Sequence, residues 1–401
     1  MINKFYHLVG GSERYVFELS KLLESHGHSV IPFSTRDEKN VRSKFERYFI
    51  KKIDLEKFSF QNIFKFFYNR DAVENLEQLI KDEKPDIAHL HNIAHHLSPA
   101  IIKVLKKHNI PIIQILHDYK LICPNYKLFS KNKVCFKCEG KKYYNCFLRK
   151  CVKKSFMKSF LAMMEAYLNN RILKLYDKID LFIAPSQFMK DICVKFGILE
   201  NKIKVIYNFV QPCESYCQTE LNRVKLENYI IYFGRLSEEK GIGTLLDAIG
   251  KLDAGIKLKI IGEGSEEKRL KVKSKKLKIE DRVDFVGAKY GVELHNLINN
   301  ALAVVIPSIW FENMPFSLLE SLAIGKIVIA SRIGGIPEII KDGVNGILFD
   351  PNNSDDLAKK INQSQKININ NIKINAITTM KNFSQEKHYE SIIDIYNTIM
   401  R

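Results

Sequence analysis

This 401-residue sequence lacks long apolar runs. No stretch of about 18 apolar residues occurs, so no segment is fit to span a bilayer as a helix, and the N-terminus lacks the apolar core of a signal peptide. These absences predict a cytoplasmic protein. A dinucleotide fingerprint is also missing. A nicotinamide dehydrogenase needs G-x-G-x-x-G after its first strand and an acid about 20 residues on, and GGSER at 10–14 does not supply it. Acidic residues are few: 45 Asp and Glu stand against 63 Lys and Arg, a formal net charge of +18. The imbalance is uneven. Residues 101–158 hold 15 Lys and Arg against only Asp118 and Glu139. Such a stretch suggests an anionic partner, or else a plain solvated face. With no recognisable nucleic-acid module beside it, the expected partner is an anionic membrane, at its inner face, and not nucleic acid.

What is present reads as a folded α/β protein. Hydrophobic content of 46% and a length beyond one typical core predict two domains. Short apolar runs (SVIPFS, DIAHLH, PIIQIL, LFIAPS, KVIYN) alternate with helical stretches such as RYVFELSKLLESHG in the first half. YIIYFG, KLKIIG, VDFVG, LAVVIPS and IVIAS do the same in the second. The alternation predicts two Rossmann-like, doubly wound parallel sheets with helices on both faces, the two domains facing a cleft. The domains are expected at 1–210, with a Cys-rich basic insert at 120–155, and at 229–385. The polar, aperiodic stretch 211–228 is the linker, and 386–401 forms a C-terminal helix that can cross back onto the first domain.

Ligands of this architecture bind at the carboxyl ends of the strands, and the second domain's turns there hold suitable chemistry. GRLSEEKG follows one strand: Gly234 permits close approach, and Arg235 and Lys240 can meet a diphosphate. GEGSE, with Gly262 and Gly264, and SRIGGIPE are further glycine loops, each also readable as a simple turn. In FENMPFSLLE, Glu312 and Glu320 lie eight positions apart. Asn313 is expected to cap the helix, with Pro315 in its first turn. Capping explains one acid near a helix start but not two.

Other clusters are more ambiguous. His89, His91, His95 and His96 suggest a metal site, but a ligand-lined or solvated loop after a strand is the preferred reading. The aromatic and basic stretch 45–70 either lines an acceptor site or packs as an amphipathic helix on its own domain. Cys135, Cys138, Cys146 and Cys151 have the spacing of a tetrahedral zinc site, or stand as reduced thiols beside Cys123; a cytosolic location argues against disulfides.

Several of these pieces together resemble the retaining glycosyltransferases of family 4, which have the GT-B fold. They are FGRLSEEKG, IIGEGSE, PSIWFENMPFSLLESLAIGKIVIAS and GGIPEIIKDGVNGILF, in the family order, with GGSERYVFELSKLLESHGHSV, PDIAHLHN and ILHDY before them. The resemblance implies roles for named residues. Glu320 binds the donor ribose, and Glu312 hydrogen-bonds hydroxyls of the transferred sugar. Arg235 and Lys240 neutralise the leaving nucleoside diphosphate in place of a metal. Gly10, Gly11, Gly234 and Gly262 admit the phosphates, and His117 faces the donor sugar. The implied reaction is hexosyl transfer from an NDP-sugar to a saccharide or lipid-linked acceptor hydroxyl with retention. No cofactor or metal is required, and the setting is cell-surface polysaccharide or glycolipid synthesis. Alternatives are a sugar-nucleotide epimerase of the same fold and a non-catalytic sugar-nucleotide-binding scaffold. A glycoside hydrolase is disfavoured because one Glu lies inside a helix beside a phosphate site.

One feature departs from the family pattern. Relatives open with a long apolar strand, whereas only MINKFYHLV precedes Gly10, with polar Asn3 and Lys4 inside it. Residues 1–9 are therefore expected to form at most a stub strand, and the natural protein to start upstream of Met1.

Overall fold

The computed structural model describes residues 1–54, 59–210, 227–365 and 369–400. The proposed linker at 211–228 lies almost wholly outside the described residues. The chain divides into two compact units: Met1–Leu128 with Cys135–Tyr207 and His388–Arg401, and Phe129–Val134 with Asn208–Lys387.

The first unit is built on four parallel strands in spatial and chain order: β1 (Ala88–Leu90), β2 (Ile112–Ile115), β3 (Leu181–Ala184) and β4 (Ile203–Val205). β2 and β3 are buried at every position, as expected of parallel strands covered on both faces. Beyond β1 the sheet is continued by one residue. Ile2, itself buried, bridges in parallel to Leu90 on one side and to Phe33 on the other. The N-terminal segment is thus a stub in a central position, and the helix Gly11–Ser25 follows it. At the other end of the chain, the helix Gln385–Met400 packs into this unit. Its His388 Nε2 lies 2.8 Å from Tyr15 Oη, and its Tyr396 Oη lies 2.7 Å from His89 Nδ1.

The aromatic stretch 45–70 is partly core. Phe45, Tyr48, Phe49, Ile53 and Phe66 are buried, while Phe64 and Tyr68 are exposed. Packing on its own domain therefore accounts for one face of it. The basic stretch also splits. Lys106 pairs with Asp180 (2.5 Å), Lys107 with Glu77 (2.8 Å), and Lys120 with the buried Glu165, so these positive charges are answered inside the unit.

The second unit carries six parallel strands: β5 (Tyr229–Phe233), β6 (Lys257–Ile261), β7 (Val283–Gly287), β8 (Ala303–Ile306), β9 (Val328–Ser331) and β10 (Ile347–Phe349). Their spatial order is β7-β6-β5-β8-β9-β10. The chain winds outward from β5 in one direction, then crosses to β8 and winds in the other. Alternate side chains of β5 serve two cores: Ile230 and Tyr232 pack on one face, and Tyr229, Ile231 and Phe233 on the other. This period of two with both faces apolar is what produces the near-continuous apolar runs in the sequence. The point where the winding reverses lies between β5 and β8. In such sheets, ligands bind outside the strand ends at that switch point.

Candidate active site

The loops leaving β5 and β8 flank the switch point, and their backbones are locked together. Ile309 N–H donates to the Glu239 carbonyl (3.0 Å). Gly241, at φ +68°, passes so close to the second loop that a Cβ there would sit 1.9 Å from the Pro307 carbonyl oxygen. This contact sets Lys240 directly opposite Glu312. Lys240 Nζ lies 2.6 Å from Glu312 Oε1, and Ser308 Oγ donates to the same oxygen at 2.5 Å. Glu312 is only 4% exposed, so the ammonium and the hydroxyl make its charge tolerable there. Lys240 also stands 5.5 Å from the ring centroid of Trp310, the single tryptophan of the chain. Trp310 Nε1 is buried with no hydrogen-bond partner among the described residues.

Arg235 is held differently. Its side chain is 64% exposed and reaches Glu239 only at 3.6 Å, while Ser237 Oγ donates to Glu239 at 3.0 Å. The Arg235 carbonyl accepts from buried Tyr232 Oη at 2.8 Å, which fixes the backbone and leaves the guanidinium in solvent. Burial first, and then the nearby Glu312 carboxylate, push the Tyr232 phenol well above its ordinary range.

The glycine loops pack directly against neighbouring backbone. A Cβ at Gly262 would lie 2.0 Å from the Gly234 carbonyl oxygen, and one at Gly264 2.2 Å from that of Leu236. The loop after β9 grips Glu312 in the same way: Gly334 approaches its backbone within 2.2 Å of a Cβ position, and Gly335 N–H donates to its carbonyl at 2.7 Å. Four post-strand loops therefore fix one another through positions where any side chain would collide. Glu320 is half-buried on the helix Phe316–Ala323. Pro315, not Asn313, is the N-cap residue, and no side chain caps this helix. Extended backbone at Pro315 delays the first helical residue to Phe316, which leaves Asn313 buried in the loop.

The remaining predicted residues belong to the first unit. Gly10 is extended and exposed, and a Cβ there would meet nothing nearer than Glu13 Oε2 at 3.9 Å; Gly11 opens the following helix. His117 follows β2 by two residues. Its Nε2 lies 2.9 Å from His91 Nδ1, the two rings stack at 5.2 Å, and Tyr15 packs edge-on to it at 5.4 Å. Burial, with help from Lys4, lowers the His117 pKa to about 3, so the imidazole is neutral at pH 7. Burial also holds His89 and His91 well below the usual range. These two histidines are packed inside the unit, with His89 within β1 itself, and do not form a solvated loop.

Among the described residues, no three His, Cys, Asp or Glu side chains are placed to hold a metal ion. Cys138 and Cys146 are buried with Tyr143 and Ala166 in a small apolar cluster, against which Cys151 packs. Burial raises the Cys123 thiol to about 11. Ser308, Trp310 and Tyr232 join the site only in the folded chain. The signal was present in the lone Trp two residues before Glu312 and in the Ser four before it.

Residues 9–213 match the family model "Glycosyltransferase Family 4", and residues 218–377 match "Glycosyl transferases group 1". An uncharacterized glycosyltransferase of Methanocaldococcus jannaschii is 33% identical over 198 residues, 46% of this chain and 50% of that one. A lipopolysaccharide 1,6-galactosyltransferase of Escherichia coli K12 is 28% identical over 219 residues, 53% of this chain and 60% of that one. The chain thus spans about half the length of several curated relatives it matches. An uncharacterized 42.6 kDa protein from the cps region of Klebsiella pneumoniae is 26% identical over 84% of this chain and 86% of its own. Among solved structures, a Rickettsia africae glycosyltransferase superposes with a TM-score of 0.68 at 21% identity, covering 100% of this chain and 99% of that one. Anabaena HepE, crystallised with UDP and glucose, gives 0.65 at 20% identity, covering 99% and 98%. Identities this low show the fold alone, and that fold is GT-B, as the sequence led us to expect. The family model covers more than half of the residues, and the chain belongs to glycosyltransferase family 4.

Proposed function

We propose that the protein transfers a hexosyl residue from a nucleoside-diphosphate sugar to a hydroxyl of a saccharide or lipid-linked acceptor, with retention at the anomeric carbon. The observation that carries this reading is the Lys240–Glu312 pair at the switch point, with the exposed Arg235 guanidinium on the same loop. One cation on a buried carboxylate, with a second, solvent-facing cation on the same loop, suits a substrate that joins a diphosphate to a polyhydroxyl ring. Arg235 and Lys240 would take the charge that builds on the leaving diphosphate, and Glu312 would hydrogen-bond sugar hydroxyls. Glu320 would hold the ribose. In the first unit, Gly10 and Gly11 would admit phosphate oxygens, and neutral His117 would hydrogen-bond a sugar hydroxyl.

In the step itself, the anomeric C–O bond to phosphate breaks and its electron pair leaves with the nucleoside diphosphate. The acceptor oxygen bonds to the same face of that carbon, and its proton passes to the departing phosphate oxygen. Charge neutralisation by Arg235 and Lys240 supports a route without a metal. Relatives named for lipopolysaccharide and amylovoran synthesis support a role in cell-surface polysaccharide or glycolipid assembly. No described helix is long and apolar enough to cross a membrane. We place the protein in the cytoplasm, in peripheral contact with the anionic inner face of the membrane.

A thermal-shift screen against UDP-, GDP- and ADP-sugars, followed by turnover with membrane extract as acceptor, tests the proposal. Specific stabilisation by one donor and its consumption support it. Stabilisation without turnover would favour the scaffold, and no stabilisation by any donor would overturn both.

A further inference from the structure

The end of the basic insert and the helix that follows it carry apolar side chains where a water-soluble surface would not place them. In the helix Phe156–Tyr167, Phe156 and Met157 are 51% and 54% exposed, and Phe160 and Met164 are exposed as well. At 3.6 residues per turn these four positions fall within an arc of about 100°. The opposite side, Ser159, Ala162, Glu165 and Ala166, is buried against the unit. The helix is therefore inverted relative to an ordinary surface helix: small and polar residues face inward, and its largest apolar residues face water.

The short helix Tyr144–Leu148 extends this face. Phe147 stacks edge-on against Phe156 at 4.3 Å and Phe160 at 5.6 Å, and Leu148 beside it is 64% exposed. Charge surrounds the apolar centre. Between Gly140 and Met164 there are seven Lys or Arg and no acid, and Lys150 Nζ sits 5.2 Å from the Phe156 ring centroid. Lys142, Lys150, Lys153 and Lys154 are all exposed.

We propose that this two-helix face is an interfacial docking surface for an anionic lipid bilayer, with Leu148, Phe156, Met157 and Met164 entering the boundary between headgroups and acyl chains. It rests on the membrane-contact reading above and sharpens it in two ways. The contact is confined to about residues 142–164, since Lys106, Lys107 and Lys120 are neutralised within the unit. It also has an apolar component that charge counting along the sequence does not contain. An amphipathic element with aromatic and thioether side chains on one face and lysines around them partitions into such a boundary by both terms at once. Contiguous exposed apolar area of this kind marks an interaction site, and the local excess of exposed lysines over acids selects an anionic partner.

Vesicle flotation of the full chain, without donor sugar, tests this with three proteins: the unaltered chain, Phe156→Ser/Met157→Ser/Met164→Ser, and Lys150→Glu/Lys153→Glu/Lys154→Glu. All exchanged side chains are exposed, so circular dichroism should match the unaltered chain, and the loss of the Phe147–Phe156 contact should lower the melting temperature only slightly. Vesicles of phosphatidylglycerol and phosphatidylcholine should float the unaltered chain, and pure phosphatidylcholine should float it at least tenfold less. The apolar variant should lose at least tenfold in affinity even at low salt, where the electrostatic term is strongest. The charge-reversed variant should lose binding at every salt concentration. If the apolar variant floats like the unaltered chain, the insertion surface is wrong and only electrostatic contact survives. If the unaltered chain does not float, the membrane reading itself fails, while donor stabilisation in the thermal-shift screen stays untouched. Concentration-dependent dimerisation abolished by the same apolar exchanges, without flotation, would assign the face to a second copy and overturn the proposal.

Discussion

Lys240 Nζ stands 2.6 Å from Glu312 Oε1 across 72 residues of chain, in a pocket of backbone where Ser308 supplies the second donor to the same oxygen. Neither partner is independent. The carboxylate is nearly buried, and removing its ammonium would leave a charge answered by a hydroxyl and little else.

That dependence predicts a split between stability and activity. Lys240→Ala should cost about 3 kcal/mol of stability, because a buried carboxylate is left without its partner. It should also slow transfer by about 10²-fold, as loss of a donor to transition-state charge does. Adding Glu312→Gln to it should recover much of the stability and none of the activity. A double-mutant cycle by urea unfolding and turnover checks this. Equal, additive losses would show that the pair is incidental.

The two glutamates should part company in kinetics. Glu320→Ala is expected to weaken donor affinity, since each lost charge-assisted hydrogen bond is worth about 1.5–3 kcal/mol. Glu312→Gln should chiefly lower turnover. Titration with the donor by calorimetry, alongside single-turnover rates, separates the two; unchanged affinity in the first and unchanged rate in the second would sink the assignment.

Glycine substitutions should sort by what fills the space. Gly334→Ala places a Cβ 2.2 Å from the Glu312 carbonyl oxygen at φ +62°, so it should destabilise by at least about 1–3 kcal/mol and displace Glu312. Gly10→Ala meets no protein atom nearer than 3.9 Å and needs no left-handed backbone, so stability should hold. A raised KM for the donor in Gly10→Ala, at unchanged melting temperature, is the outcome expected if phosphate passes there.

Acid should unfold the first unit early. Burial holds His117 at about 3, and His96 and His388 at about 4, below the ordinary 6.5. Between those values the unfolded chain binds protons that the folded chain refuses. Stability is therefore complete above pH 6.5 and falls as pH drops from 6.5 towards 4. The melting temperature followed across pH 4–7.5 should decline over that window. A flat profile would contradict the buried neutral histidines.

Metal independence is tested directly. Turnover should survive EDTA, with Arg235→Ala and Lys240→Ala each losing about 10²-fold. Complete loss on chelation, restored by magnesium, would remove the proposal that these two cations carry the leaving-group charge.

The sequence by itself determined most of the elements, although SVIPFS contributes only the Phe33 bridge to Ile2 and no strand of its own. Apolar runs such as YIIYFG and LAVVIPS are long enough for one strand and apolar throughout the strand itself, and that pattern is set by covering both faces of a parallel sheet. The glycine turns after them, and the Glu312–Glu320 spacing across a loop and a helix, are local facts read within ten residues. Tertiary structure decided which of these elements meet. The pairing of β5 with β8 created the switch point and brought Lys240 to Glu312; no local propensity encodes a partner 72 residues away. It decided that the glycines at 262 and 334 admit neighbouring backbone, because a close approach depends on the second chain segment as well as the first. It gave Ile2 bridge partners in Leu90 and Phe33, at the centre of the sheet, where the sequence led to a stub strand. It also turned the apolar arc of Phe156–Met164 outward. Periodicity reports that a helix has an apolar face; which side the rest of the molecule covers is settled only by packing.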